Sequence, residues 1–518
     1  MNLTSIKNRF LASIGVNILR AIISFLTGLL VARGLSPSGY GDLYYLLGSF
    51  LAVKALMDMG SGSAFYTFIS QRSRGRNFYL MYYSWLLIQF VVSTLLVVVL
   101  MPQPMIDRIW FGHSRDIILL AFFASFMQQQ IWTTVVQLGE STRQTVKVQL
   151  LGLSVIVTHS IVMLILYFNH WLSITAVLLA IFAEYFLATI ASSKLLFSSS
   201  LSEEKVSDDS VKVVLGEYWK YCRPLILLAV VSFLYEFADR WLLQKFGGST
   251  QQGFYQISAQ LAAICLLATT SILNIFWKEI SEANDRQDQA RLAFLYHKVN
   301  RGLLMVGAII SCFMVPWAKE IVTFLLGNAY KESWAIFAIM LLYPIHQSMG
   351  QVNATIFLAC SRTKAYSAIS IIGQVISIPV SYILIASSED ILIPGLELGA
   401  FGLAIKMVVL NILLVNIQAL MIARFNGWKY EWKYQVFGIT SVLALSYSVK
   451  YMISFLFPTL ALSTDNLSLI ILFLSSGVIY LIGVAVILWV YPQVAGLEKR
   501  ELQTFLNKVN PFKAGISN

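Results

Sequence analysis

The residues of this chain best suited to chemistry are charged side chains in the middle of long apolar runs. A charge at the centre of a bilayer costs about 2.5–3.5 kcal/mol on insertion scales, so such a side chain normally faces a bundle interior or water. The residues of this kind are Arg20, Lys54, Asp58, Glu184, Glu236, Asp239, Arg240, Lys406 and Lys450. Their positions predict where polar substrates or ions meet the protein.

Four basic residues of this set are candidates for binding an anionic substrate, namely Arg20, Lys54, Lys406 and Arg240. Arg20 lies within VNILRAIISF and Lys54 within FLAVKALMDMGSGSAF. Asp58 follows Lys54 by one helical turn, so an internal ion pair is the alternative interpretation of that lysine.

Arg240 and Lys406 also have structural interpretations. Arg240 follows Glu236 by one turn and lies near a helix end, so a local salt bridge or snorkelling accounts for it. Lys406 shares its apolar run with Asn411 and Asn416, and asparagines in membrane helices commonly bond neighbouring helices. Both residues remain candidates for a cavity lining.

Three acidic residues, Asp58, Asp239 and Glu184, are candidates for coupling transport to a proton or a sodium ion. For Glu184, a neutral buried carboxyl group bonded to a helix is an equal alternative. His159 and Lys450 are interpreted as a packing group and a snorkelling group. Neither the five histidines nor the four scattered cysteines show metal-ligand spacing, so no metal and no other cofactor is expected.

The composition indicates a protein that spans a membrane many times. Of the 518 residues, 58% are hydrophobic and only 12% are charged, against about 25% charged in soluble domains. Apolar runs of membrane-spanning length recur along the whole chain and predict an all-α polytopic fold of about fourteen helices. The net charge of +11 is explained by basic cytoplasmic loops rather than by nucleic-acid binding.

The distribution of basic residues predicts the orientation. When the N-terminus is placed inside, alternate segments between spans carry most of the 37 lysines and arginines, which puts both termini in the cytoplasm. The predicted domains are an N-terminal six-helix bundle, a cytoplasmic linker, a second six-helix bundle, two additional helices and a cytoplasmic tail. Their boundaries are 1–197, 198–220, 221–387 with 396–424, 436–491 and 492–518.

One short stretch occurs twice. VARGLSPSGYGDLYYLLGSF is matched by LLQKFGGSTQQGFYQISAQLA, and aligning Gly41 with Gly253 puts Arg33 on Lys245. In both copies a basic residue and a small polar turn separate two apolar runs. The copies are an even number of spans apart, so they predict a parallel repeat about an axis along the membrane normal. A simple turn also suffices to explain Gly39 and Gly41.

The first copy resembles the first hairpin of Wzx-type polysaccharide flippases, which belong to the multidrug/oligosaccharidyl-lipid/polysaccharide (MOP) exporter superfamily. Leu35, Pro37 and Gly41 match the turn pattern of that family, and Asp239 resembles its aspartate ahead of the second hairpin. The resemblance implies two six-helix bundles around a central cavity, alternating access, and no enzymatic activity. The last two helices are an addition to that core.

The resemblance implies a flippase for undecaprenyl diphosphate-linked oligosaccharide in a bacterial inner membrane, acting as a monomer beside polymerase and chain-length partners. O-antigen, capsule and exopolysaccharide units are equal candidates. A cation-coupled multidrug antiporter and a lipid II flippase of the same superfamily are alternatives. A membrane glycosyltransferase is disfavoured because the outer loops are short, and ATP hydrolysis because no phosphate-binding loop motif is present.

Overall fold

The computed structural model describes residues 6–197, 210–360, 362–389, 393–458 and 465–497. Within these ranges the chain is almost entirely α-helical and has no β-strand, which confirms the predicted all-α polytopic fold. Its α-helices are α1 (Ile6–Asp58), α2 (Ser61–Gln71), α3 (Arg76–Leu95), α4 (Gln103–Trp110), α5 (Arg115–Ser125), α6 (Trp132–Ser141), α7 (Thr145–Phe168), α8 (Ile174–Phe197), α9 (Val211–Cys222), α10 (Ile226–Ala263), α11 (Leu267–Asp285), α12 (Gln289–Met314), α13 (Ala318–Leu326), α14 (Trp334–Met340), α15 (Tyr343–Ala359), α16 (Thr363–Ile385), α17 (Gly399–Asn426), α18 (Lys433–Leu456) and α19 (Asn466–Val490).

The described residues contain nine helices that are long and apolar enough to cross a membrane, or up to eleven if each of two bent pairs is one span. The predicted number of fourteen is not confirmed. Two of the nine are unusually long, since Gly15–Asp58 has 44 residues and Val211–Leu266 has 56. At 1.5 Å per residue, each exceeds twice the roughly 30 Å thickness of the hydrocarbon core.

The helices α1 and α10 are each interrupted at a single residue. Ser36 has φ 63° and ψ 169°, and Gly248 has φ 71° and ψ 179°. The alignment of Gly41 with Gly253 also places Ser36 on Gly248. The predicted turn is therefore a one-residue break, after which Pro37 restarts the helix because its fixed φ suits a first helical position. The shared conformation supports the internal repeat.

The segments after the two breaks meet in a close backbone crossing. A Cβ atom on Gly41 would lie 1.8 Å from the backbone oxygen of Ser249, and one on Gly253 would lie 2.0 Å from the backbone oxygen of Pro37. The repeat pairs Pro37 with Ser249, so each contact is the counterpart of the other. Gly41 is therefore required by the crossing, and a turn alone does not explain it.

Asp42 fastens this crossing with hydrogen bonds. Its Oδ1 accepts from Ser249 Oγ at 2.5 Å and from Gln244 Nε2 at 3.2 Å. Gln244 also donates to Ser249 Oγ at 2.9 Å. His113 Nε2 lies 3.5 Å from the same carboxylate oxygen. The first hairpin and α10 are thus joined by side chains as well as by backbone contact.

The second part of the predicted linker, from Val211 onward, is the helix α9, which packs on the N-terminal helices. Glu217 forms ion pairs with Arg72 at 3.2 Å and with the buried Arg74 at 2.7 Å. Tyr218 packs against an aromatic cluster that includes Phe78. Residues 198–209 of the linker and 498–518 of the predicted tail lie outside the described residues.

The chain divides into two compact units, Met1–Gly253 with Gln374–Gly399 and Phe254–Gly373 with Ala400–Asn518. The first boundary follows Gly253 rather than the linker, and the predicted division into two six-helix bundles stays a prediction. In the second unit, Lys450 Nζ donates to Pro316 O at 2.7 Å and to Glu320 at 2.5 Å. Lys450 is therefore held by an ion pair between helices, which corrects its interpretation as a snorkelling residue.

Candidate functional site

A π-helical turn, Phe126–Ile131, links α5 to α6 and carries three consecutive glutamines. Such a turn is rare, redirects side chains and occurs frequently at functional sites. Gln128 Nε2 lies 3.4 Å from the hydroxyl of Tyr185, whereas Gln130 Nε2 lies 3.4 Å from the carboxylate of Asp58. The turn therefore supplies amides to two separate polar clusters of the first unit.

The first cluster surrounds Arg20, which is half-buried. A Cβ atom on Gly152 would lie 3.5 Å from Cζ of Arg20 and 3.6 Å from Trp132, so the glycine leaves space for the guanidinium group. The Arg20 Nε atom is buried without a hydrogen-bond partner. The ring of Tyr185 packs edge-on against Trp132, with 5.8 Å between centroids. An arginine, two aromatic rings and Gln128 thus meet inside the helical bundle.

A histidine–carboxylate pair lies on the helices beside this cluster. His159 Nδ1 of α7 is 2.7 Å from Oε2 of Glu184 on α8, whose side chain is 8% exposed. The other oxygen of Glu184, Oε1, is buried and has no hydrogen-bond partner. The interpretation of His159 as a packing group is therefore corrected. The two residues are almost equally far from the turn between α7 and α8, a signal that could have predicted the pair.

The second cluster surrounds Lys54. This lysine lines a cavity of about 20 Å³ together with Gln89, Gln130 and apolar side chains, a volume that holds about one water molecule. Gln130 donates to Gln89 Oε1 at 3.5 Å, while its own Oε1 is buried without a partner. Lys54 has no salt-bridge contact within 4.0 Å among the described residues, but Asp58 attracts it electrostatically, as the alternative interpretation expects in weaker form.

Asp58 has a structural function that the sequence did not reveal. The helix after Lys54 breaks at Met59 and Gly60, both with positive φ. Asp58 Oδ1 accepts hydrogen bonds from Ser61 Oγ at 3.0 Å and from the backbone nitrogen of Gly62 at 2.9 Å. The carboxylate therefore caps α2 in the manner of an N-cap side chain. Its predicted participation in ion coupling stays a prediction.

Asp239 and Arg240 point to different neighbours in the first unit. Asp239 is buried and accepts a hydrogen bond from Ser381 Oγ of α16 at 2.5 Å. Arg240 lies 3.8 Å from Glu236, as the local salt-bridge interpretation predicts. Its guanidinium group also rests on Gly48, where an added Cβ atom would lie 2.4 Å from Nε.

Lys406 belongs to the second unit and is 2% exposed. The asparagines of its helix bond neighbouring segments, as predicted. Asn411 donates to the backbone oxygen of Tyr343 at 3.2 Å, and Asn416 accepts from Tyr430 at 2.7 Å. The candidate residues are therefore spread over two units, and only Arg20, Lys54, Asp58 and Glu184 are associated with the π-helical turn.

The side chains of the two clusters carry positive charge, amide groups and aromatic rings. Two cations, three amide side chains and two aromatic rings suit an anionic ligand that carries hydroxyl groups. The described residues contain no group of three or more histidine, cysteine, aspartate or glutamate side chains able to hold a metal ion.

The fold of the described residues is that of a polytopic membrane protein. No protein-family model and no curated protein sequence matches the chain. Among solved structures, the lipid II flippase MurJ in an inward closed conformation matches with a TM-score of 0.67 and 14% identity, covering 92% of this chain and 99% of MurJ.

Two other similar structures are a multidrug transporter and a transporter for which a different function has been suggested. An inward-facing MATE family transporter has a TM-score of 0.62 and 12% identity, covering 79% of this chain and 96% of its own. A MOP superfamily transporter from Pyrococcus furiosus has a TM-score of 0.54 and 12% identity, covering 80% and 94%. At these identities the likeness establishes the fold, and the protein is a multi-pass membrane protein with the fold of MOP superfamily transporters.

Proposed function

We propose that this protein flips undecaprenyl diphosphate-linked oligosaccharide repeat units from the cytoplasmic to the outer leaflet of a bacterial inner membrane by alternating access. The observation that carries the proposal is that Arg20 and Lys54, two cations within membrane-spanning helices, form no salt bridge among the described residues. Cations in the membrane interior are costly without a counter-charge, and a diphosphate supplies one.

The surroundings of Arg20 suit the sugar part of such a substrate. Trp132 and Tyr185 present aromatic rings, and Gln128 and Gln129 present amides that exchange hydrogen bonds readily with hydroxyl groups. Arg240 of the first unit and Lys406 of the second are proposed as further candidate residues for binding an anionic substrate, each within its own unit. The proposed oligosaccharide is a repeat unit of O-antigen, capsule or exopolysaccharide, with the three as equal candidates.

Proton coupling is proposed for the pair His159–Glu184. Both residues lie in helices long and apolar enough to cross a membrane, His159 Nδ1 and Glu184 Oε2 are 2.7 Å apart, and Glu184 Oε1 has no hydrogen-bond donor. Gain or loss of one proton changes the net charge next to Tyr185. Arg20 also interacts electrostatically with Tyr185, so the pair and Arg20 act on the same side chain. Asp58 and Asp239, as alternative proton or sodium sites, are less favoured because each accepts structural hydrogen bonds.

A lipid II flippase is the second candidate. MurJ aligns with 92% of the chain, whereas structures of multidrug resistance MATE transporters align with 79% and 80%. This difference favours a lipid-linked substrate over a drug.

The protein is proposed to be a transporter rather than an enzyme and to act as a monomeric unit. Both termini are proposed to lie in the cytoplasm. Its proposed partners are polysaccharide polymerase and chain-length proteins.

The test is to replace Arg20 and Lys54 separately by glutamine and to measure surface glycan in cells that lack the native copy. Each loss of a charge-assisted hydrogen bond is worth about 1.5–3 kcal/mol, so export falls roughly tenfold or more while lipid-linked units accumulate inside. The control is Lys147→Gln, an exposed lysine of the same unit. Normal glycan from both variants, at normal protein levels, would refute the proposal.

A further inference from the structure

A second cavity of the first unit is a cleft of about 420 Å³ between α2, α3 and the linker helix α9. Its walls include Met81, Trp85, Leu215 and Trp219, so the lining is mostly apolar and aromatic. Asp58 and Ser61 also line it, and Asp58 joins it to the cluster around Lys54. A cleft with these walls suits a hydrocarbon chain.

The helix α9 has the side chains of a helix that lies on a membrane surface. Val211, Leu215 and Trp219 recur every four residues and are 48%, 52% and 62% exposed. The exposed basic residues Lys212 and Lys220 are on the same helix, and Arg223 follows it. Exposed apolar and basic side chains together are typical of interfacial helices that bind anionic lipids.

The charge of α9 is not balanced by its own acidic residue. Glu217 is the one acidic residue in the sequence of α9 and is engaged by Arg72 and Arg74. The surface around the cleft is therefore positively charged. In an anionic leaflet, each basic residue near the surface contributes about 1 kcal/mol of attraction.

From this juxtaposition we propose that the cleft and α9 form a binding site for one anionic phospholipid of the bilayer, with an acyl chain in the cleft and its phosphate group at Lys220 and Arg223. One acyl chain occupies the cleft, and the second chain stays in the bilayer.

A resident phospholipid fits this surface better than a transported lipid does. The helix α9 is fixed to the bundle by the buried Arg74–Glu217 ion pair and by the packing of Tyr218 against Phe78. A carrier lipid has to leave in every transport cycle, whereas a fixed wall favours a ligand that remains bound. The proposed ligand of the cleft is therefore a resident phospholipid and not the transported lipid, although Asp58 borders both the cleft and the cluster around Lys54.

Native mass spectrometry of the purified full-length protein, in detergent with added phosphatidylglycerol or phosphatidylcholine, tests the proposal. We expect retention of one phosphatidylglycerol and little phosphatidylcholine. Neutralising Lys220 and Arg223 together by glutamine lowers the affinity roughly 25-fold, at about fivefold for each charge. Arg424→Gln with Lys429→Gln, two exposed basic residues of the other unit, is the matched control and retains the lipid.

A second variant tests the cleft itself. Met81→Trp fills the cavity without changing charge, so it weakens phosphatidylglycerol binding while Lys220 and Arg223 are intact. Equal retention by the charge variant and its control, or equal retention of the two phospholipids, would overturn the proposal. Displacement of phosphatidylglycerol by a polyprenyl phosphate at lower concentration would also overturn it, since the site would then belong to a carrier lipid.

Discussion

Replacing Gly41 by alanine should damage the crossing between the first hairpin and α10 severely. The new Cβ atom would lie 1.8 Å from the backbone oxygen of Ser249 and 2.8 Å from the backbone nitrogen of Gly253. Both obstacles are backbone atoms, so no side-chain rotation relieves the overlap. A shift of well over 1 Å between the two segments is required. Overpacking commonly lowers the free energy of unfolding by about 1–3 kcal/mol. We expect the upper end of this range for Gly41→Ala.

The matched control is Gly39→Ala in the same segment. Its Cβ atom would meet Leu35 Cβ at 3.4 Å and Ser36 Oγ at 4.0 Å, which are ordinary contacts. Because alanine is the better helix former by about 1 kcal/mol, Gly39→Ala should be neutral or stabilising. For a chain of 518 residues, this difference should separate the melting temperatures of the two purified variants by about 3–4 °C. Equal melting temperatures would refute the close crossing.

The internal repeat allows a second test of the close crossing, at the counterpart of Gly41. Gly253→Ala should be as damaging as Gly41→Ala, since its Cβ atom would lie 2.0 Å from the oxygen of Pro37. Once the first alanine has separated the segments, the second one meets less resistance. The double variant should therefore lose clearly less than the sum of the single losses, as expected for residues in contact. Strict additivity would mean that the two glycines act at independent sites.

Three further variants test other parts of the first unit by thermal melting. Ser36→Gly should stabilise the protein by about 1 kcal/mol, because the φ/ψ values of Ser36 belong to a region that glycine alone adopts easily; a loss of stability would contradict the strained break. Asp42→Ala should cost about 1–3 kcal/mol by leaving the donors of Gln244 and Ser249 without their acceptor, whereas the same change at the exposed Asp107 should cost little. Glu217→Gln should cost about 2 kcal/mol because Arg74 loses a charge-assisted bond, and an unchanged melting temperature would show that α9 is held by aromatic packing alone.

The repeat could be predicted from sequence because it depends on local chemistry. Small residues, a proline and a basic side chain recur at fixed spacing, and those residue types restrict the backbone wherever they occur. The contact between Gly41 and Ser249 could not be predicted in the same way. It depends on how two segments far apart in sequence cross, and a glycine in a turn and a glycine in a crossing look alike in a sequence.

The candidate site was predicted in its residue types but not in its pairings. Arg20, Lys54 and Glu184 were identified because charge is rare in apolar runs. The partner of Glu184 was missed because His159 lies on another helix, and helical spacing relates residues only within one helix. The π-helical turn was also not predictable, since the glutamines of Phe126–Ile131 have no preference that distinguishes it from an α-helix.

Pairing also separates the charged residues of the first unit into two kinds. Glu184 is matched by His159, Asp239 by Ser381 and Arg240 by Glu236, so helix packing itself compensates much of their cost of burial. Arg20 and Lys54 have no such compensation from a salt bridge, although each lies among polar side chains that pack well around it. Asp58 compensates Lys54 in part by electrostatic attraction, and the proposed anionic ligand would lower the remaining cost of both cations on binding. The same two residues are therefore expected to limit stability in the absence of substrate and to determine affinity in its presence.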